Sequence, residues 1–170
     1  MPTSVSIRTP RGARPFWVTL VAALGCGLSA GVFFAFSAFV MPALGRLPPV
    51  QGIAAMQSIN KLAVTPAFMT ALFGTALTCL GLAAWALVIW GEHAAAWVLA
   101  GSVLYLAGSV AVTISANVPL NDALTAVQPD SSGAASHWGG YLRRWTAWNH
   151  VRVTASLAAA GLLTVALLRG

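Results

Sequence analysis

The sequence predicts an all-α integral membrane protein: a four-helix bundle with a short amphipathic helix in its first connection and a long third connection. Two observations carry this. Hydrophobic residues make up 58% of the 170 residues and charged residues only 7%, whereas a soluble surface needs roughly a quarter to a third charged residues. The uncharged runs are also long: residues 16–44, 65–90 and 94–116, with a shorter one at 153–168 that reaches spanning length when extended back toward His150. A helix needs about 20 apolar residues to cross a bilayer. The predicted spans are therefore about 16–44, 65–90, 94–116 and 149–168, following a polar tail at 1–15.

That tail carries Arg8, Arg11 and Arg14 and no acid. It resembles the charged part of a signal peptide, but the apolar run behind it is too long for a signal core of 7–15 residues. A retained first helix is expected, in a bacterial inner (plasma) membrane with both termini cytoplasmic. The charge pattern is divided on this point, because Arg46, Lys61, Arg143, Arg144 and Arg152 then lie toward the other side. The net charge of +6 does not indicate nucleic acid, since the basic residues are scattered and no soluble basic face can hold them. Anionic lipid head groups are the expected partners.

The first span contains Gly25, Gly27, Ser29 and Gly31, a small-xxx-small pattern that lets backbones approach closely. Contact inside the bundle is the first expectation, and a homo-oligomer through the same residues is the second. Phe33, Phe36 and Val40 share a helical face, either as core or as the wall of an aromatic-ligand site, and Pro42 marks the exit. Past Pro48-Pro49, residues 50–64 suit a short amphipathic helix with Gln57, Asn60 and Lys61 on its polar side. Gly91-Glu92-His93 predicts a tight turn between antiparallel second and third spans, with Trp85, Trp90 and Trp97 as interfacial anchors. Pro119 predicts an end or kink of the third span. A long connection is expected over 117–149, with its Gly/Ser-rich middle, QPDSSGAASHWGG, mobile. Asn149 is a good N-cap for the last helix.

Four spans bring the first and third connections to one membrane face. Asn60, Lys61, Asn117, Asn121, Asp122, Trp145, Trp148, Asn149, His150 and Arg152 gather there. If the last helix extends back through residue 141, then Tyr141, Trp145, Asn149, Arg152 and Ser156 fall within an arc of roughly 80°, with Trp148 at its edge and His150 nearly opposite. Arg152 has two readings: it snorkels to the head groups, or it faces the bundle and pairs with Asp122 or an anionic ligand. The tryptophans are an interface belt or a substrate clamp. The asparagines are expected to hydrogen-bond between the last two spans, because an unsatisfied amide near hydrocarbon is costly. No metal-ligand spacing, phosphate loop, nucleophile triad or dinucleotide fingerprint appears. Cys26 and Cys79 form no CxxC and read as small buried residues.

The segments GLSAGVFFAFSAFVMPAL, MQSIN, NVPLNDAL and WTAWNHVRV together resemble the anthrone-oxygenase-like family of small four-helix membrane proteins, over about residues 25–165. The resemblance implies oxidation of an anthrone to an anthraquinone by O2, with no flavin, haem or metal cofactor. Its motif positions are Asn60, Asn117, Pro119, Asn121, Trp145, Asn149, His150 and Arg152. For that chemistry the expected catalytic set is His150 as base, Arg152 as countercharge and Asn149 as donor. Asn60, Asn117, Asn121, Trp145 and Trp148 are expected to bind the substrate. The competing expectation is a non-catalytic membrane protein that binds a lipid or quinone or assembles with a partner. A proton-coupled exporter is disfavoured, because no acidic residue lies mid-span.

Overall fold

The computed structural model describes residues 15–169 and contains five helices and no strand among them. The basic tail with Arg8, Arg11 and Arg14 lies outside the described residues. The helices are α1 (Phe16–Gly45), α2 (Pro49–Leu62), α3 (Pro66–Val88), α4 (Ala95–Thr125) and α5 (Ala134–Arg169). Four of them, α1, α3, α4 and α5, are long and apolar enough to cross a membrane, as the uncharged runs predict. The fifth, α2, is the amphipathic helix of the first connection.

Two boundaries differ from expectation, both at the same end of the bundle. α4 continues through Pro119 to Thr125, and α5 begins at Ala134, so the expected long connection shrinks to residues 126–133. Each difference has a local cause. Pro119 follows a wide π-helical turn at Thr113–Asn117, where the hydrogen-bond ladder has already shifted register and the missing proline donor does not end the helix. Pro42 behaves the same way behind a π turn at Phe36–Val40. In α5, Gly139 and Gly140 each cost about 1 kcal/mol relative to Ala in a helix interior. Burial of Trp138, Tyr141 and Trp145 on one face of that segment outweighs this.

Two apolar clusters result. The first lies between the spans and includes Cys26, Phe33, Leu72, Cys79, Tyr105 and Leu163. Cys26 and Cys79 are fully buried free thiols, facing each other at 4.0 Å. α4 and α5 pack tightly at Gly108, where an added Cβ would collide with Ala155, the use of small residues that tight packing between spans requires. In α1, Gly25 is packed against Thr75 and Ser29 is buried, but Gly27 and Gly31 face open space. The GxxxG pair is therefore not a contact within the bundle.

The second cluster joins α2 to the ends of α1, α4 and α5 through Met41, Ile53, Met56, Leu124, Trp138 and Tyr141. Gln57 fastens α2 in place. Its Nε2 donates to the carbonyls of Leu124 and Val127 at 2.9 and 3.0 Å, at and just past the end of α4, where the Leu124 carbonyl also accepts from Val127 N–H at 3.1 Å. Gly52 lies against the Trp138 indole, and a Cβ there would fall 2.8 Å from the ring. At the opposite end of the bundle, Gly91 takes φ +117° in the turn between α3 and α4, as the sequence predicts.

Gly52→Val should push α2 off Trp138 and lower stability by about 1–3 kcal/mol, the usual range for overpacking. Gly27→Val, which meets nothing in the chain, should leave it nearly unchanged. Thermal unfolding of both variants in detergent checks the difference.

Candidate functional site

Because α5 extends back through residue 141, its polar stripe is realised: Tyr141, Trp145, Asn149, Arg152 and Ser156 are all buried. Arg152 is 5% exposed and does not snorkel. Its Nη2 donates to Asn149 Oδ1 at 2.7 Å and its Nη1 to Thr113 Oγ1 at 3.2 Å. The guanidinium carbon lies 4.2 Å from the centre of the Phe33 ring and 5.1 Å from that of Trp145. Such cation–π contacts contribute about 2 kcal/mol or more when desolvated. Nε is buried with no partner. Neither hydrogen-bond partner is a carboxylate, and Asp122, the expected alternative partner, is exposed.

The asparagines hold the surrounding helices. Asn149 Nδ2 donates to the Phe33 carbonyl and to Ser37 Oγ, both at 2.7 Å. It therefore ties α5 to α1 rather than to α4, and in the middle of a continuous helix it is no N-cap. Asn117 Nδ2 donates to the Trp145 carbonyl at 3.2 Å, while its Oδ1 is buried without a partner. Asn121 Oδ1 accepts from Tyr141 Oη at 2.9 Å and from Trp145 Nε1 at 2.8 Å. These two bonds do link the third and fourth spans. Asn60 Nδ2 is buried and unpartnered.

Arg152, Asn117 and Asn60, which carry these three unpaired atoms, line one cavity. It has a volume of about 490 Å³ and is walled by Phe33 and Phe36 of α1, Met56, Ile59 and Asn60 of α2, Phe68, Leu72 and Phe73 of α3, Thr113, Asn117 and Asn121 of α4, and Trp145 and Arg152 of α5. Cavities of this size accept small organic ligands, with an apolar wall and a few directed polar groups. Three π turns contribute to it, at Phe36–Val40, Thr70–Gly74 and Thr113–Asn117; such turns recur at functional sites because they re-aim side chains. Below it, Tyr105 Oη donates to the Leu72 carbonyl at 3.2 Å and lies 2.9 Å from Ser29 Oγ. Toward the side, Phe73 is 45% exposed and Ile114 is 56% exposed, so the slot between α3 and α4 opens onto the lipid-facing surface.

Of the residues singled out in the sequence, Asn60, Asn117, Asn121, Trp145 and Arg152 line this cavity, and Asn149 stands directly behind Arg152. Trp148 and His150 are not brought to it. Trp148 is 44% exposed, and His150 is exposed on a separate groove. Helical phase explains both: Trp148 sits at the edge of the stripe and His150 nearly opposite. Thr113 and Ser37, which contact Arg152 and Asn149, carry no motif that would mark them among the other hydroxyl residues of the spans.

Asn149→Ala should leave the Phe33 carbonyl without this donor and remove a support of Arg152. The expected loss is about 1–3 kcal/mol, the penalty for an unsatisfied buried polar group, read as a lowered unfolding midpoint in detergent.

No curated protein and no solved structure matches the chain significantly. A family model described as anthrone oxygenase matches residues 62–162, which takes in all of α3 and α4 and most of α5, including the stripe that carries Arg152. The chain belongs to the anthrone oxygenase family.

Proposed function

We propose that the chain is a membrane-embedded, cofactor-independent oxygenase that converts a flat polycyclic phenolic of the anthrone type to its quinone. Independence from a cofactor is taken from the family resemblance. The observation that carries the reading is Arg152: a cation with no carboxylate partner, stacked between Phe33 and Trp145 on the wall of an apolar cavity. Burying an unpaired cation is expensive, and an anion that forms in the cavity relieves that expense.

An anthrone becomes such an anion when it loses a proton from the methylene carbon opposite its carbonyl. The enolate oxygen then lies against the wall formed by the Arg152 guanidinium, with the Asn60 and Asn117 side chains on the same wall. No carboxylate or imidazole lines the cavity, so His150 is not retained as the base. Arg152 instead lowers the substrate's own pKa by stabilising its charged form, and the proton leaves to water. The enolate gives one electron to O2. The resulting carbon radical and superoxide combine to a peroxide, and loss of water leaves the second carbonyl, so that CH2 + O2 becomes C=O + H2O. Arginine stays protonated throughout the physiological range, so the countercharge persists through every step.

A second reading, a non-catalytic binder of a lipid or quinone, is favoured by the lateral opening beside Phe73 and Ile114. Oxygen uptake by the purified protein with an anthrone, measured against the spontaneous background, separates the two. Arg152→Ala should lower the enzymatic excess by about 10²–10³-fold, the usual loss for a positioned oxyanion donor, and His150→Ala should keep it. Full activity in Arg152→Ala sinks the mechanism. No excess over background with several anthrones, together with saturable quinone binding, leaves the binding protein.

The proposed setting is a bacterial inner membrane with both termini in the cytoplasm, because Arg8, Arg11 and Arg14 precede the first span and the first helix usually dominates orientation. A cysteine at Ser132, between α4 and α5, should then react with an impermeant maleimide from outside the cell. Reaction only after the membrane is opened reverses the orientation.

A further inference from the structure

The cavity leaves His150 unused, although it stands in the same short motif as Asn149 and Arg152. It lines a second site, an open groove of about 550 Å³ on the outer side of the α1–α5 seam. Arg46, Arg143, Thr146 and His150 supply its polar groups, and Pro42 and Leu142 are among its apolar lining. The chain has three acidic residues, Glu92, Asp122 and Asp130, and none of them lines it. The groove is a concentration of basic and hydrogen-bonding groups with no internal anion.

Its depth indicates what fills it. His150 and Arg169 lie 19 residues apart along α5, or about 28 Å at 1.5 Å per residue. The hydrocarbon core of a bilayer is about 30 Å thick. With Arg169 at one boundary, His150 lies at the other, and Arg143 lies about 10 Å further out, among the head groups. Below the basic groups the same face of α5 continues through Thr154 and Leu157, within about 60° of His150 and Arg143 by helical phase. Leu157 is 63% exposed. The surface is thus cationic at head-group height and apolar where acyl chains run.

We propose that this groove binds the phosphate of an anionic phospholipid, with Arg46 and Arg143 as the charged contacts, Thr146 and His150 as donors, and the acyl chains lying along the Thr154–Leu157 face. The site is separate from the oxygenase cavity and stands whether or not that reading holds. Anionic lipids are recognised in this way by basic pockets between spans.

The full chain, purified in detergent and offered equal amounts of phosphatidylglycerol and phosphatidylcholine, is measured by native mass spectrometry. Wild type should retain phosphatidylglycerol about tenfold over phosphatidylcholine, since each arginine near a head group adds appreciably to affinity. The double variant R46Q/R143Q should fall to near parity. Both arginines are exposed, so the change should not disturb folding, and R46K/R143K should restore most of the preference. The matched variant K61Q/R144Q removes the same charge from the same end of the protein and should keep the wild-type ratio. Equal retention of the two lipids by wild type overturns the proposal, as does an equal loss in K61Q/R144Q, which would mean general surface attraction. Displacement of the lipid by millimolar inorganic phosphate would overturn the lipid assignment in favour of a free-phosphate site.

Discussion

A guanidinium buried among apolar helices has to be surrounded before it can be tolerated, and the supports of Arg152 come from every side. Phe33 belongs to α1, Thr113 to α4, and Trp145 and Asn149 to α5. Asn149 in turn grips the α1 backbone at Phe33. The Trp145 carbonyl and indole are bound by Asn117 and Asn121 of α4. The angle at which these three helices meet is therefore set by one cation and the amides around it. In the other half of the bundle, small residues such as Gly108 and Ala155 bring the helices into close contact, and Tyr105 bridges α4 to Ser29 of α1 and Leu72 of α3. One end of the protein is organised around a cation, and the rest around apolar packing with a neutral bridge.

This division also separates stability from chemistry. An apolar side chain in place of a buried ion is often neutral or stabilising, so Arg152 is poorly explained by folding alone. Together with Asn60, Asn117 and Asn121 it places a cation and three amide side chains on the wall of an otherwise apolar cavity. That array matches an oxygen-rich edge of a flat molecule better than it matches a hydrocarbon chain. The aromatic rings that hold the cation in place are also the surfaces against which a planar ligand would lie.

Three spans were legible because lack of charge over 20 or more residues leaves few alternatives, the fourth because the apolar run 153–168 reaches spanning length when extended back toward His150, and the inward stripe of α5 was legible from helical phase once its helix reached residue 141. Local signals misled where tertiary packing opposed them. Pro119 and the Gly139–Gly140 pair read as breaks, yet both lie within helices because a π turn absorbs the one and buried aromatics outweigh the other. His150 attracted attention through its neighbours in sequence, although one residue along a helix turns a side chain by about 100°. Thr113 and Ser37 were not legible, since a hydroxyl in a span ordinarily bonds its own backbone four residues back, as Thr113 also does toward the Ser109 carbonyl. Only the meeting of helices shows which hydroxyl has a second use.

The π turns store length at points where the chain looks regular. Each holds in effect one residue more than an α-helix needs, and so takes up that residue without turning what lies beyond it. Were the turn at Thr113–Asn117 to tighten into regular α-helix with all its residues kept, Val118–Thr125 would rotate by about 100°. Asn121 would swing away from Tyr141 and Trp145, and Leu124 would leave the α2 interface. The same rotation follows when one residue is deleted from the regular helix on either side, whereas a deletion of Ser115 or Ala116 inside the turn closes the ladder and keeps the phase. Single-residue deletions in α4 should therefore be tolerated within the π turn and selected against in the regular helix around it.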